Sequence, residues 1–280
     1  MVGTTAVRIG LCENSEVHVM TPAQIEQAAQ LLKKARLEKS VIESIPFEIR
    51  PQNIKDAYAV QDRLVDILGL QTAGWFCACT NEKIQQMLKL EEPYYARLLK
   101  DYLFAEPAVL ESSDYPPIVI ECEFGFTLGQ DLPRRSTPYQ RVEVEEAVHA
   151  VHPTIEVVAG HLENWPDQEV WSVIADNGTD GALVYGAGDR HWRDLDLIQM
   201  QVSLIVNGKC LRRGYGINVL GDPLQALVWL ANARSRDGDG LKAGQMHNTG
   251  TATDIYWITP GDKIVAEFEG LGNVSLQVME

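Results

Sequence analysis

Three glutamates stand where a soluble chain rarely leaves acids unpaired. Glu121 and Glu123 lie two residues apart in segment 118–126, which reads IVIECEFGF. In a strand, alternate side chains fall on opposite faces. Ile118, Ile120, Cys122, Phe124 and Phe126 then make one wholly apolar face, and Val119, Glu121, Glu123 and Gly125 make the other. Glu156 sits in a second β-prone run, PTIEVVAG, between Ile155 and Val157. Desolvating an unpaired charge costs far more than an apolar contact returns, so three such acids ask for a cation. Hard divalent ions such as Mg²⁺ or Mn²⁺ take oxygen ligands, and Mg²⁺ keeps positions for water or substrate oxygens. Glu121, Glu123 and Glu156 are therefore the expected metal ligands. A solvated strand face is the competing reading for Glu121 and Glu123, but it suits the apolar surroundings of Glu156 poorly.

The elements that must position these acids can be read in outline. Thr21-Pro22-Ala23-Gln24 carries an N-cap, a first-turn proline and a capping-box glutamine. Ile25, Ala28, Ala29, Leu32 and Ala35 follow at helical spacing. A second amphipathic helix runs from a cap at Asn53 to a stop at Gly69. Residues 73–80 read as a short strand, Asn81 as the cap of a third helix reaching Leu88, and residues 92–95 as a loop. From Pro107 on, the chain is strand-like with Gly and Pro punctuation, interrupted by expected helices at 142–151 and 223–233. Residues 255–278 read as a β-hairpin with turns at 260–262 and 270–272. The expectation is an α+β fold: a helical N-terminal part, 1–70, packed against a β-rich body, 71–280.

The totals narrow the function. The 280 residues carry 24 basic and 39 acidic side chains, a formal charge of −15. That balance argues against nucleic acid, which rewards basic patches, and against anionic membranes. No apolar run reaches spanning length and no signal-peptide pattern opens the chain, so a cytoplasmic enzyme with a small-molecule substrate is expected. Cys12, Cys77, Cys79, Cys122 and Cys210 are odd in number and lack paired CxxC spacing, as reduced thiols would.

The order E-x-E (Glu121, Glu123), D-L-P (131–133) and P-x-I-E (153–156) resembles the 2-keto-4-pentenoate hydratase and 4-oxalocrotonate decarboxylase group of the fumarylacetoacetate hydrolase superfamily. Val219-Leu220-Gly221-Asp222-Pro223, Thr249-Gly250-Thr251 and Pro260-Gly261-Asp262 extend the resemblance, which covers about residue 45 to the C-terminus. It implies a rolled, mixed β-sandwich, homo-oligomers and one Mg²⁺ or Mn²⁺ on Glu121, Glu123 and Glu156. It also implies small 2-oxo acids that react through an enolate, and a β-dicarbonyl substrate stays open beside them. Hydration, decarboxylation, tautomerisation, C–C cleavage and cyclisation all remain open, as does a specialised biosynthetic role. The other reading is a weak or non-catalytic homologue that serves as a partner subunit.

The chain departs from the group at the proton-handling positions. Phe76 stands in Gly74-Trp75-Phe76-Cys77-Ala78 where a lysine is usual, and Tyr94 in Pro93-Tyr94-Tyr95-Ala96 where an aspartate is usual; Gln245 follows Ala243-Gly244 in place of another acid. Phenylalanine transfers no proton and a tyrosine titrates near 10. His247 is the expected replacement, since Gln245, His247 and Thr249 would share one face of a strand; Tyr94 is the second catalytic candidate. By position, Phe76, Thr80, Thr249, Gly250 and Thr251 are expected to bind substrate. His152 is expected at a solvated helix end, with a supporting place near Glu156 as its alternative; His18, His161 and His191 read as loop or surface residues.

Overall fold

The computed structural model describes residues 19–280, the side chains of Glu82 and Lys83 apart; Cys12 and His18 lie outside the described residues. In chain order the elements are α1 (Pro22–Leu37), α2 (Ile54–Leu68), β1 (Thr72–Ala78), α3 (Glu82–Leu88), β2 (Tyr94–Leu99), β3 (Leu103–Ala105) and β4 (Ala108–Glu111). Next come β5 (Val119–Leu128), β6 (Leu132–Pro133), α4 (Arg141–Ala147), β7 (Val148–Val158), α5 (Val170–Ala175) and β8 (Asp180–Tyr185). The chain ends with β9 (Gln201–Val206), β10 (Lys209–Tyr215), α6 (Pro223–Asp237), β11 (Gly240–Leu241), β12 (Met246–Thr251), β13 (Tyr256–Trp257), β14 (Lys263–Phe268) and β15 (Gly272–Met279).

The large sheet runs β2-β1-β12-β5-β7-β8-β3, with β13 also pairing β5; a second sheet runs β10-β9-β14-β15-β4, and β11 pairs β6. One face of the large sheet packs on the second sheet and on α4 and α6. Phe124 meets Phe268 edge-on there, ring centres 5.1 Å apart, within a continuous core that includes Ile120, Cys122, Phe126, Leu204 and Leu227. This is the wholly apolar face of segment 118–126. The opposite face carries the acids and is flanked by α2 and α5. The chain is thus an α+β fold of curled mixed sheets.

Local chemistry explains the helix ends. Thr21 Oγ1 accepts from the Gln24 amide while the Gln24 side chain accepts from Thr21 N–H, a closed capping box. The Asn53 side chain takes the Asp56 amide, and Gly69 ends α2 with φ +70°. Asp222 Oδ1 accepts from Leu224 N–H at the start of α6. Helix α2 also finishes the edge strand β2: Tyr58 Oη accepts from Tyr95 N–H, and Gln61 Nε2 donates to the Tyr95 carbonyl.

Three sequence expectations need correction. The helix expected at 142–151 stops at Ala147, and Val148 begins β7; a run of β-branched residues suits either period, and pairing with β5 decides it. Tyr94 and Tyr95 are strand rather than loop, because β2 pairs with β1 through Ala78↔Tyr94. The terminal hairpin is β14–β15 alone, turning at residues 269–271. The 260–262 turn instead carries the chain from β13, on the large sheet, to β14 on the other.

Candidate metal and substrate site

Register brings the three glutamates together. β5 and β7 pair with Glu121 opposite Glu156 and Glu123 opposite Thr154, so all three acids share the face turned away from the sandwich core. One ligand oxygen from each lies within 4.8 Å of the others. Glu123 is fully buried, Glu156 nearly so, and Glu121 is half-buried.

Asn248, which sequence reasoning missed, links two of them. Its Nδ2 donates to Glu123 Oε2 at 2.5 Å and to Glu156 Oε2 at 3.2 Å. Gly250 N–H donates to the same Glu123 oxygen at 2.7 Å. Glu123 Oε1 is buried with no hydrogen-bond partner. Burial pushes the Glu123 carboxyl well above its ordinary range, and the charges of Glu156 and Glu121 push it further. Glu156 rises to about 8, from burial first and Glu121 second, and burial raises Glu121 as well. An all-oxygen, mutually repelling, desolvated cluster with an orphaned lone pair is what a hard divalent cation relieves; the residues fit such an ion.

Phe76 and Tyr94 lie on the same face. Phe76 packs with Ala96, Leu98, Leu183 and Met246, and Leu183 is the cross-strand neighbour of Glu156. The fit is tight: Gly178, at φ +66°, passes so close that a Cβ there would lie 3.0 Å from Phe76 Cζ. Tyr94 is buried against Ala57, Val173 and Ile174. Burial, then the neighbouring Cys79, Glu156 and Glu121, holds its phenol pKa well above 10, so the hydroxyl keeps its proton.

The structure does not bring His247 to the acids. It pairs laterally with Trp75 and Phe126, both on the core face, is fully buried, and has no hydrogen-bond partner at either ring nitrogen. The expected catalytic role therefore fails on placement. The cause is register: the residue of β12 that faces the acids is Asn248, and a bulge follows between Asn248 and Thr251. Thr249 spends its hydroxyl on the Phe124 carbonyl at 2.9 Å, and Thr251 donates to the Thr253 carbonyl. Gly250 does reach the cluster, and Thr80 lies against it: a Cβ on Gly250, which has φ +91°, would sit 2.0 Å from Thr80 Oγ1.

Two other histidines also differ from expectation. His152 is buried in β7 on the acids' face, its ring between Thr127 Oγ1 (3.2 Å) and the Gly186 carbonyl (2.9 Å). His161 is buried beside Asp176, with Nδ1 3.3 Å from Oδ2. That aspartate and Asp180 hold Arg36 of α1 at 2.9 and 2.7 Å. His191 is exposed, as expected.

Fold and site together define a metal-dependent enzyme of the lyase kind. The fumarylacetoacetate (FAA) hydrolase C-terminal family matches residues 99–279, and the chain belongs to that family. It is 33% identical over 259 residues to a 2-keto-4-pentenoate hydratase of Paraburkholderia xenovorans (strain LB400), covering 91% of this chain and 95% of that protein. It is 27% identical over 259 residues to a 4-oxalocrotonate decarboxylase of Pseudomonas sp. (strain CF600), covering 91% and 97%. The structure of a 4-oxalocrotonate decarboxylase from Pseudomonas putida G7, complexed with magnesium and adipate, superposes with a TM-score of 0.86 at 26% identity, covering 93% of this chain and 99% of that one. Among the described residues no helix is long and apolar enough to cross a membrane.

Proposed function

We propose that the chain is a divalent-metal-dependent lyase of the carboxy-lyase kind. Its substrate would be a substituted 2-oxo acid whose departing carboxylate lies against apolar side chains. The observation that carries this reading is the pairing of three convergent glutamates with Phe76 and Tyr94 on one sheet face. Water addition needs a group that shuttles protons, and Phe76 offers none. Loss of CO₂ releases the electron pair that becomes the enolate, so no base is required to form it. The bound cation, Mg²⁺ or Mn²⁺, supplies Lewis-acid stabilisation of the charge that develops on the 2-oxo oxygen.

The remaining work falls to this chain's residues. Gly250 N–H orients Glu123. Thr80 and Gly250 form the adjoining wall for the substrate's own carboxylate, with Thr251 at its edge. Phe76 and Leu183 exclude water from the carbon that loses CO₂. Tyr94 holds a proton at Oη and delivers it to that carbon. Trp257, opposite Val119 and therefore on the Glu121 face, stands half exposed with Trp165 edge-on at 6.0 Å. This aromatic rim favours a substituent bulkier and less polar than a short diacid. We infer a homo-oligomer, as the resemblance implies, which sedimentation of the purified chain tests.

The test is turnover by the isolated, Mg²⁺- or Mn²⁺-loaded chain on 2-oxo-3-enedioates and on 2-oxo-4-enoates. CO₂ release from the first, with Tyr94→Phe roughly a hundredfold slower at unchanged metal affinity, is the expected result. Water addition to the second with no CO₂ release would refute the carboxy-lyase assignment. Burial of Phe76 in the place of a proton handler also favours a second reading, a non-catalytic partner subunit. Absence of turnover alone, restored by mixing with an active homologue, would select it.

A further inference from the structure

We propose that Asn248 is a fourth ligand to the cation, reached by a half-turn of its carboxamide. This rests on the reading that the three glutamates hold a divalent ion. The amide end now touches one oxygen of Glu123 and one of Glu156, and thus lies between two of the groups that such an ion joins. A side-chain amide oxygen is an ordinary ligand for hard cations, and turning the amide over puts Oδ1 where Nδ2 now lies.

The other end of the amide accommodates the half-turn. Thr154 Oγ1 lies 2.8 Å from Asn248 Oδ1 and 2.8 Å from the Glu123 carbonyl oxygen. Both are acceptors, and a threonine hydroxyl has one proton to give. The hydroxyl proton goes to Asn248 Oδ1 here, where Asn248 and Thr154 are fully buried, while the Glu123 carbonyl keeps Thr154 N–H as its partner in the β5–β7 ladder. After the half-turn the hydroxyl donates to the Glu123 carbonyl and accepts from Asn248 Nδ2, so this end of the amide stays paired in both orientations. The oxygen and nitrogen ends of the amide differ little in size, so no neighbour has to move.

Asn248 therefore has two states. Without the ion, its NH₂ group ties Glu123 to Glu156 and offsets part of their repulsion. With the ion, its carbonyl joins the oxygen set and adds a ligand without adding charge. In this chain the side chain fixes how strongly, and in what shape, the cage grips its cation.

The experiment is calorimetric titration of metal-free protein with Mn²⁺, using wild type, Asn248→Leu, Asn248→Asp and Glu156→Gln. Wild type binds, Glu156→Gln does not, Asn248→Leu binds at least about 10- to 100-fold more weakly, and Asn248→Asp binds as tightly as wild type or more so. Failure of wild type to bind would remove the metal reading itself. Wild-type binding with Asn248→Leu equally tight would overturn only the fourth ligand. Should Asn248→Leu fail to fold, a crystal structure of Mn²⁺-loaded wild type decides: Oδ1 within about 2.2 Å of the ion supports the proposal, and Nδ2 still facing the glutamates overturns it.

Discussion

His247 and Asn248 are chain neighbours that face opposite sides of the large sheet. His247 sits beside Phe126 and Trp75 in the core, while the Asn248 amide touches Glu123 and Glu156. A histidine whose chemistry suits proton transfer is thus spent on packing, and the amide beside it on the acids.

His247 should make the fold sensitive to acid. Burial holds its pKa down to about 3, against about 6.5 in the unfolded chain. A depressed histidine pKa gives stability that is present above about 6.5 and is lost as pH falls toward 3. Between pH 6.5 and 5 the loss amounts to about 2 kcal/mol. Urea unfolding at pH 7 and pH 5 should show this dependence in wild type and a flatter one in His247→Leu. If His247→Leu lost turnover while folded and metal-loaded, its placement in the core would have missed a catalytic role.

Mg²⁺ should stabilise wild type and leave Glu156→Gln unaffected. At a hundredfold excess over Kd the gain is about 2.7 kcal/mol, read as a rise in melting temperature. Metal-free Glu156→Gln should melt no lower than metal-free wild type, because an amide replaces a carboxyl that burial and Glu121 push up to about 8. A Glu156→Gln variant that Mg²⁺ stabilises equally would show the ion bound elsewhere.

Arg36→Met should cost about 3–5 kcal/mol, the usual penalty for leaving buried acids without their cation. Burial alone would raise Asp176, yet Arg36 holds it below its ordinary value, and the same guanidinium reaches Asp180. Denaturant titration measures the loss. A change below 1 kcal/mol would mean the network contributes little to holding α1.

Gly250→Ala should weaken Mg²⁺ binding about tenfold or more. Its backbone has φ +91°, and the added methyl would collide with Thr80, displacing the N–H that holds Glu123. Calorimetry with Mg²⁺ reads this directly; unchanged affinity would show that the peptide does not position the ligand.

Much of the site was legible because segment 118–126 alternates strictly, so both its acids had to share a face. Glu156 was legible from its apolar flanks alone. The side of β12 that faces the acids was not, since a one-residue difference in register exchanges the two faces and the one mark of the bulge after Asn248, Gly250, reads equally as a plain turn. Tyr94 read as loop because Pro93 precedes it, whereas its strand state depends on Ala78 across the sheet. The link from Arg36 to Asp176 and Asp180 runs from α1 to the start of β8, and no periodicity announces a contact of that range. The α+β class followed from the element pattern; the closing of one face of the large sheet over the second required the pairings themselves.

The three convergent acids come from β5 and β7, in the middle of the large sheet, whereas Phe76 and Tyr94 come from β1 and β2 at one margin. Inheritance of the two parts can therefore be uncoupled. Substitution at the margin alters one wall of the site, while the central strands, pinned on their reverse side by the core, keep the acids convergent. A chain built this way can change trade without first losing its fold.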